Sequence, residues 1–412
     1  MSEALVSLDI GTSKIRAIVA ERLQTGALQV TGVGVANSEG LRRGDVVNIE
    51  KTVDGIKTAI QDAEYMSGYE IKECSVSIGG IHIEGFNSTG VVPVSDKQKG
   101  NREVDASDIE NVIKSAKAVE IASDREFIHV IPQNFSVDSQ KNLKDPTNQI
   151  GVRLEANVHI ITGSGSAIEK IVQCVNRSNL NVSGIMYQGL CAVRSVMTND
   201  ESELGSILID IGGATTNVVV MKGGAPTMSF AIPVGGEHLT KDLSVVEGIP
   251  FDSAEKIKIS DGCCWLDLVD DEDEILVESV AGKAPSQISK RKVCEIFQVR
   301  VHELFLIIKN RIEQNMKLSV LKGSIIFCGG GSLLSGIIEL ATHVFGISSI
   351  RLGIPSTLGG LVGNYRNPDF AVVVGLLLEK NESKNIVINE NRQDKNKTSV
   401  VKWFKKKWND LF

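Results

Sequence analysis

An α/β architecture of two related domains facing each other across a cleft is what the sequence predicts. A small α+β unit is inserted into the first domain, and an amphipathic helix closes the chain. Three observations predict it. One strand–turn–strand pattern containing Asp-Ile-Gly occurs twice, at Asp9 and at Asp210. Short strands and a single polar helix interrupt the first domain between residues 82 and 162. Two of the three tryptophans fall in the terminal stretch 400–412, opposite lysines at helical spacing.

The second copy of the pattern is the clearer one. Ile207, Leu208 and Ile209 form an unbroken apolar run of the kind a buried strand carries. Asp210 interrupts it, then Gly212, Gly213, Ala214, Thr215 and Thr216 make a turn, and apolar character resumes at Val218. That is a hairpin with a carboxylate at its mouth and backbone N–H groups at its tip. Such a nest of N–H groups binds anions, and glycine lets them approach closely. A carboxylate beside it can hold hydrated Mg²⁺, which prefers one or two carboxylates plus substrate phosphates. One such stretch reads equally well as an ordinary glycine-turn hairpin. The first copy shifts the balance, because Leu8-Asp9-Ile10-Gly11-Thr12-Ser13-Lys14 repeats the grammar. Lys14 adds a point charge suited to β- and γ-phosphates. Two equivalent phosphate hairpins imply a nucleotide held between two domains, with Asp9 and Asp210 on its metal ion. Asp210, nearest the phosphates, is the candidate catalytic carboxylate. On these motifs the chain resembles the actin superfamily of actins, heat-shock chaperone ATPases, sugar kinases and bacterial cytoskeletal proteins. The resemblance implies ATP and Mg²⁺ in the cleft.

Composition agrees with this architecture. The chain has 412 residues, too many for one ordinary core, with 42% apolar and 23% charged side chains. A net charge of −7 argues against nucleic acid as a partner. Seven cysteines without Cys-x-x-Cys spacing suggest reduced thiols, and the adjacent Cys263 and Cys264 read as packing or incidental. The six histidines show no metal-ligand spacing. Asp9 and Lys14 interrupt any signal-peptide core, and no stretch reaches the ~18 apolar residues of a membrane span.

Taken in order, residues 28–35 read as a strand, 49–67 as a helix and 75–80 as a strand ending in a turn. The insertion then supplies strands over 90–94, 127–137 and 157–162, a helix over 105–118 capped by Asp105 or Ser107, and a loop over 150–155. Residues 166–178, 182–186 and 188–197 read as helix, strand and bridging helix. Gln188 opens the last of these. It either makes a local hydrogen bond at the helix start or, as the resemblance implies, orients an attacking water.

Beyond the central hairpin, residues 229–243 read as strand, glycine turn and helix start. Gly235 and Gly236 there allow close approach to phosphate, and the helix dipole adds attraction. Glu255 and Lys258 share one helix face, either as a solvated pair or, as the resemblance implies, against ribose and base. Residues 267–274 read as a solvated acidic loop and 288–317 as a long helix. A buried strand then meets Gly329-Gly330-Gly331-Ser332, where absent side chains leave room for a base and its sugar. Residues 367–377 begin the helix that returns to the first domain.

The segment 379–398 reads as a flexible linker. In the terminal stretch, Val400, Val401, Trp403, Phe404, Trp408, Leu411 and Phe412 occupy half of a helical wheel. Lys402, Lys405 and Lys406 take the other half, and Lys407 can snorkel from its edge. Aromatic residues opposite lysines suit a helix lying in a membrane interface, with docking onto the chain's own body as the alternative.

With the insertion and the tail added, the chain resembles the FtsA family of actin-like bacterial division proteins from residue 5 to 412. That resemblance implies this division: 1–81 and 163–200 as subdomain 1A with its closing segment 351–380, 82–162 as inserted 1C, 201–228 and 303–350 as 2A, 229–302 as 2B, 381–397 as linker, and 398–412 as membrane-targeting helix. It implies head-to-tail self-assembly into filaments at the cytoplasmic face of the cell membrane. The implied partners are an anionic membrane surface, the carboxyl-terminal peptide of the tubulin-like protein FtsZ, and later division proteins. At most slow ATPase activity is expected. The alternatives are an actin-like ATPase of pilus assembly, or a small-molecule kinase, which would need a third functional carboxylate. Ala214 departs from the pattern, standing where many relatives have a third glycine.

Overall fold

A computed structural model describes residues 4–94, 101–277 and 286–387. The expected membrane helix, and the expected linker beyond 387, lie outside the described residues.

The first sheet opens with an antiparallel meander of β1 (Ala4–Ile10), β2 (Lys14–Arg22) and β3 (Leu28–Asn37). A miniature hairpin of β4 (Leu41–Arg42) and β5 (Asp45–Val46) follows. Helix α1 (Ile49–Ser67) starts where the Asn48 side chain accepts the Lys51 N–H at 3.1 Å, and it stops at left-handed Gly68. Val53, Ile56, Ala59, Ile60 and Ala63 form its buried stripe, the helical period of the sequence. Strand β6 (Glu73–Ile78) then lies parallel to β1.

The insertion consists of β7 (Glu84–Pro93), β8 (Arg102–Glu103), α2 (Ala106–Lys117), β9 (Arg125–Val137), β10 (Gln140–Leu143), β11 (Ile150–Gly151) and β12 (Arg153–Ser164). Asp105 caps α2, accepting the Ser107 and Asp108 N–H groups at 2.7 and 3.1 Å. Residues 150–155, expected as a loop, are instead β11 and the start of β12, because Leu154 packs into the insertion core. Strand β7 also begins earlier than expected, at Glu84.

The chain regains the first sheet through α3 (Gly165–Arg177), β13 (Asn181–Tyr187) and α4 (Gln188–Val196). It crosses by α5 (Asn199–Leu204) into β14 (Ser206–Ile211), β15 (Thr216–Lys222), β16 (Ala225–Ile232), α6 (Gly236–Glu247) and α7 (Phe251–Asp261). Next come β17 (Glu274–Val277), β18 (Ser286–Ser289), α8 (Lys290–Glu313), β19 (Ile325–Cys328), α9 (Ile337–Phe345) and β20 (Ile350–Leu352). Ile288, expected in the long helix, sits in β18, which pairs with β17; the helix begins at Lys290 and ends at Glu313.

Finally β21 (Gly359–Gly360), α10 (Val362–Tyr365) and α11 (Ala371–Val387) return to the first domain. Helix α11 packs on α4 and β1. Gly375 makes the approach possible, since a Cβ there would lie 1.7 Å from the Cys191 carbonyl oxygen. The backbone stays helical to Val387, so the first residues of the expected linker belong to α11.

The duplication is visible in the pairing. In the first sheet β3, β2 and β1 are antiparallel, while β1, β6 and β13 are parallel. In the second, β16, β15 and β14 are antiparallel, while β14, β19 and β20 are parallel. Each sheet has its own core; Phe297, Phe305 and Phe327 anchor the second.

The insertion, covalently part of the first domain, joins the second domain's sheet. Strand β7 pairs with β16 at Glu84 and Phe230, extending that sheet to nine strands. A neutral polar cluster seals this seam. The fully buried His159 ring sets Nδ1 at 2.7 Å from Asn87 Oδ1 and Nε2 at 2.8 Å from Ser229 Oγ. Asn87 donates to the Thr227 carbonyl at 3.0 Å, and Gln133 donates to the Pro226 carbonyl at 2.9 Å. Burial pushes the His159 pKa down to about 4.

Candidate functional site

Both Asp hairpins share one backbone register. In the first, Asp9 faces Arg16 across the strands, and the Gly11 N–H donates to the Lys14 carbonyl at 3.0 Å. In the second, Asp210 faces Asn217, and the Gly212 N–H donates to the Thr215 carbonyl at 2.9 Å. The tips meet across the domains: a Cβ on Gly213 would come within 2.9 Å of the Ser13 Cβ.

Between the hairpins lies a cavity of about 380 Å³, a size suited to a small-molecule ligand. Asp9, Gly11, Thr12, Ser13, Lys14, Gln188, Asp210, Gly212, Gly213 and Thr215 line it. So do Gly236, Glu255, Lys258, Gly329, Gly330 and Gly331. Four sequence candidates do not. Ala214 is buried beside the turn, and the Thr216 hydroxyl donates to the Val234 carbonyl at 2.7 Å. The Ser332 hydroxyl is turned back onto the Gly329 carbonyl at 2.7 Å.

Gly235 is a glycine for another reason than phosphate. A Cβ there would lie 2.6 Å from the carbonyl oxygens of both Gly212 and Gly213. The Gly236 and Glu237 N–H groups at the start of α6 donate to those carbonyls at 2.9 and 2.7 Å. The first donors of α6 therefore lock the hairpin, while Gly236 itself lines the cavity.

The two carboxylates are buried and differently served. Asp9 Oδ1 accepts the Ser77 hydroxyl at 2.5 Å and the Gln188 amide at 3.0 Å. Asp210 Oδ2 accepts the Asn217 amide at 3.1 Å. Burial raises the pKa of both, and that of Asp210 reaches about 6, with the Asp9 charge adding to the effect. Gln188 thus makes neither a local helix-start bond nor an idle contact; it ties α4 to the first hairpin. Lys14 extends its Nζ to Asn37 Oδ1 at 2.6 Å. Glu255 and Lys258 form a 2.6 Å ion pair on the cavity wall, where Lys258 also donates to the Gly236 carbonyl at 3.1 Å and to Thr240 at 2.9 Å.

Several lining residues escaped sequence reasoning. Arg16 and Asn217 each lie seven positions beyond their aspartate, opposite it in the hairpin; that shared offset was the available signal. Asp369, read only as part of a helix start, lines the cavity and pairs with Arg16 at 2.5 Å. It is a further carboxylate on the cavity wall that the sequence did not reveal, and the Arg16 guanidinium pairs with it. Ile259, Leu333 and Leu334 add apolar lining.

Comparison with known proteins adds the lineage. A family model described as cell division protein FtsA matches residues 207–375, and one described as the SHS2 domain inserted in FtsA matches 80–162. Cell division protein FtsA of Borreliella burgdorferi is 35% identical over 411 residues, covering 98% of each chain. Among solved structures, the PilM–PilN type IV pilus biogenesis complex aligns with TM-score 0.65 at 13% identity, over 92% of this chain and 98% of that one. MreB5 of Spiroplasma citri bound to ADP aligns with TM-score 0.55 at 14% identity, over 94% and 99%. These structures share the actin-like ATPase fold.

Proposed function

The chain belongs to the FtsA family of cell division proteins, and from that premise we propose that it binds ATP with Mg²⁺ in the cleft, polymerises on the cytoplasmic membrane, anchors the FtsZ ring there and recruits later division proteins. One observation carries the nucleotide reading: two hairpins of identical register bring buried carboxylates and glycine turns to a single cavity between related domains. The fold's likeness to an MreB bound to ADP supports it.

The residues present fit a metal–nucleotide complex. Asp9 and Asp210 are buried acids whose pKa values burial raises, an electrostatic deficit that a divalent cation offsets. Asn217 Oδ1 is buried with no partner within the protein. Mg²⁺ would neutralise phosphate charge between these carboxylates. The Gly11–Lys14 and Gly212–Thr215 turns would hold phosphate oxygens, while Lys14 would exchange Asn37 for phosphate. Glu255, Lys258, Gly330 and Leu333 would receive ribose and base. Gln188, already bonded to Asp9, would position water on the phosphate side, which suits at most slow hydrolysis.

Assembly belongs to the same proposal. Cleft closure sets the spacing at which copies stack head to tail, a heterologous contact that makes open filaments. The insertion contributes contacts for filament neighbours and later division proteins. The tail, residues 398–412, would lie in the membrane interface, its lysines adding about 1 kcal/mol each near an anionic leaflet. Many weak helices along one filament then act as a firm peripheral anchor. Pelleting with anionic liposomes, with and without ATP, tests this reading. The full chain should sediment with vesicles and a chain ending at Asn396 should not; equal sedimentation would remove the tail from membrane binding.

A further inference from the structure

The β4–β5 turn holds a residue out of keeping with its backbone. Leu41 pairs with Val46 and Arg42 with Asp45, so Arg43 and Gly44 are the two central residues of a two-residue hairpin. Both have positive φ, 52° and 84°, as a type I′ turn requires. Asn, Asp and Gly suit that conformation, whereas a long side chain is strained in it. Among the described residues, five non-glycine residues have positive φ, and the other four are Asp138, Asn142, Asn148 and Asn179. Arg43 is the exception. Such outliers persist where the surroundings impose them, often at functional sites.

The surroundings here are the cleft. Gly44 lines the cavity together with Gly79 and Gln188, at the Asp9 end. The turn is wedged against Gly79–Gly80: a Cβ on Gly44 would fall 2.5 Å from the Gly80 Cα, and one on Gly80 would fall 3.0 Å from the Arg43 carbonyl oxygen. The Arg43 side chain is exposed and, among the described residues, makes no hydrogen bond or ion pair; its neighbour Asp45 pairs with Lys170. In the second domain, His238 sits in the first turn of α6. Burial chiefly lowers its pKa, and the charges of Arg300 and then Arg43 lower it further, so the guanidinium lies within electrostatic reach of the opposite domain.

We propose that Arg43 recognises the terminal phosphate of the nucleotide across the mouth of the cleft, so that triphosphate rather than diphosphate draws the domains together. The idea rests on the ATP reading above and adds a residue to it. An exposed, unpaired guanidinium, carried on one domain by the turn that lines the Asp9 end of the cavity and within electrostatic reach of α6 on the other, has the fork of donors that a phosphate group accepts. Its strained turn fixes where that fork starts.

The test compares affinities for ADP and for a non-hydrolysable ATP analogue, both with Mg²⁺. Arg43→Asn preserves the turn, because Asn accepts positive φ, and so removes the cation without disturbing the backbone. It should weaken the ATP analogue about tenfold to a hundredfold, the range of a lost charge-assisted hydrogen bond, and leave ADP within about twofold. Arg43→Lys should fall between, and Arg42→Ala should match the wild type. If Arg43→Asn weakens both nucleotides equally, or neither, Arg43 does not read the terminal phosphate. A wild type that binds neither nucleotide would instead remove the ATP reading, and this inference with it.

Discussion

The two domains meet at the insertion seam, at the cleft and through a buried apolar cluster around α4, and the first two meetings are opposite in chemistry. At the insertion seam every named polar group has a neutral partner: both His159 nitrogens, the Asn87 amide and the Gln133 amide are bonded. At the cleft, two buried carboxylates are pushed toward protonation, and Arg16 Nε, Asn217 Oδ1 and Asp369 Oδ1 have no partner within the protein. Buried polar groups cost free energy unless they are satisfied. A contact that satisfies itself is a joint, while one left unsatisfied is where a ligand belongs. At these two contacts the difference in satisfaction parallels the difference between joint and cavity.

Removing Asp210 from the cleft breaks the comparison hardest. Asp210→Ala should lower Mg²⁺-dependent ATP affinity at least about a hundredfold, measured by equilibrium dialysis with labelled nucleotide. Unchanged affinity in a folded variant would take Asp210 out of the site.

The seam should respond to pH instead. Folded His159 stays neutral down to about pH 4, whereas an unfolded histidine takes its proton near 6.5. Between those values the unfolded chain binds one more proton, so stability is full above about pH 6.5 and falls with acidification by about 1.4 kcal/mol per pH unit. His159→Gln cannot take that proton. Its urea-unfolding free energy should decline less than that of the wild type from pH 6.5 to 4.5, and parallel declines would show that His159 is not the source.

The smallest effect sharpens the comparison inside the cleft. Gln188→Ala leaves Asp9 with Ser77 alone among the side-chain donors named here, so ATP affinity should fall only a few-fold, the worth of about 1 kcal/mol for one hydrogen bond. Steady-state ATP turnover, if Gln188 positions water, should fall by more than the affinity does. Equal losses would restrict it to holding Asp9.

What could be read from the sequence follows the range of the interactions. Each hairpin is a local pattern, so Asp9, Asp210 and their turn glycines were legible. The residue opposite each aspartate was legible in principle at an offset of seven, but only once the turn length was known. The partner of Gln188 lies 179 positions away, and nothing local announces it. Gly235 shows the converse: its composition suggested phosphate, while its cause is contact with the Gly212 and Gly213 carbonyls. Strand β7 was half missed because its residues alternate weakly between buried and exposed; its course is set by β12 and β16, which lie far along the chain.

The seat of α11 has a consequence for frames of reference. The helix packs on α4 and β1, pressed close at Gly375, and the described backbone ends on it at Val387. If residues 388–412 hold a membrane as proposed, they hold it by way of the first domain. Seen from that attachment the first domain is the ground and the second is the swinging arm. Any change of cleft angle would be delivered at the outer surfaces of the second domain, farthest from the point of attachment. The insertion straddles this hinge, so it would be sheared at its seam rather than carried along.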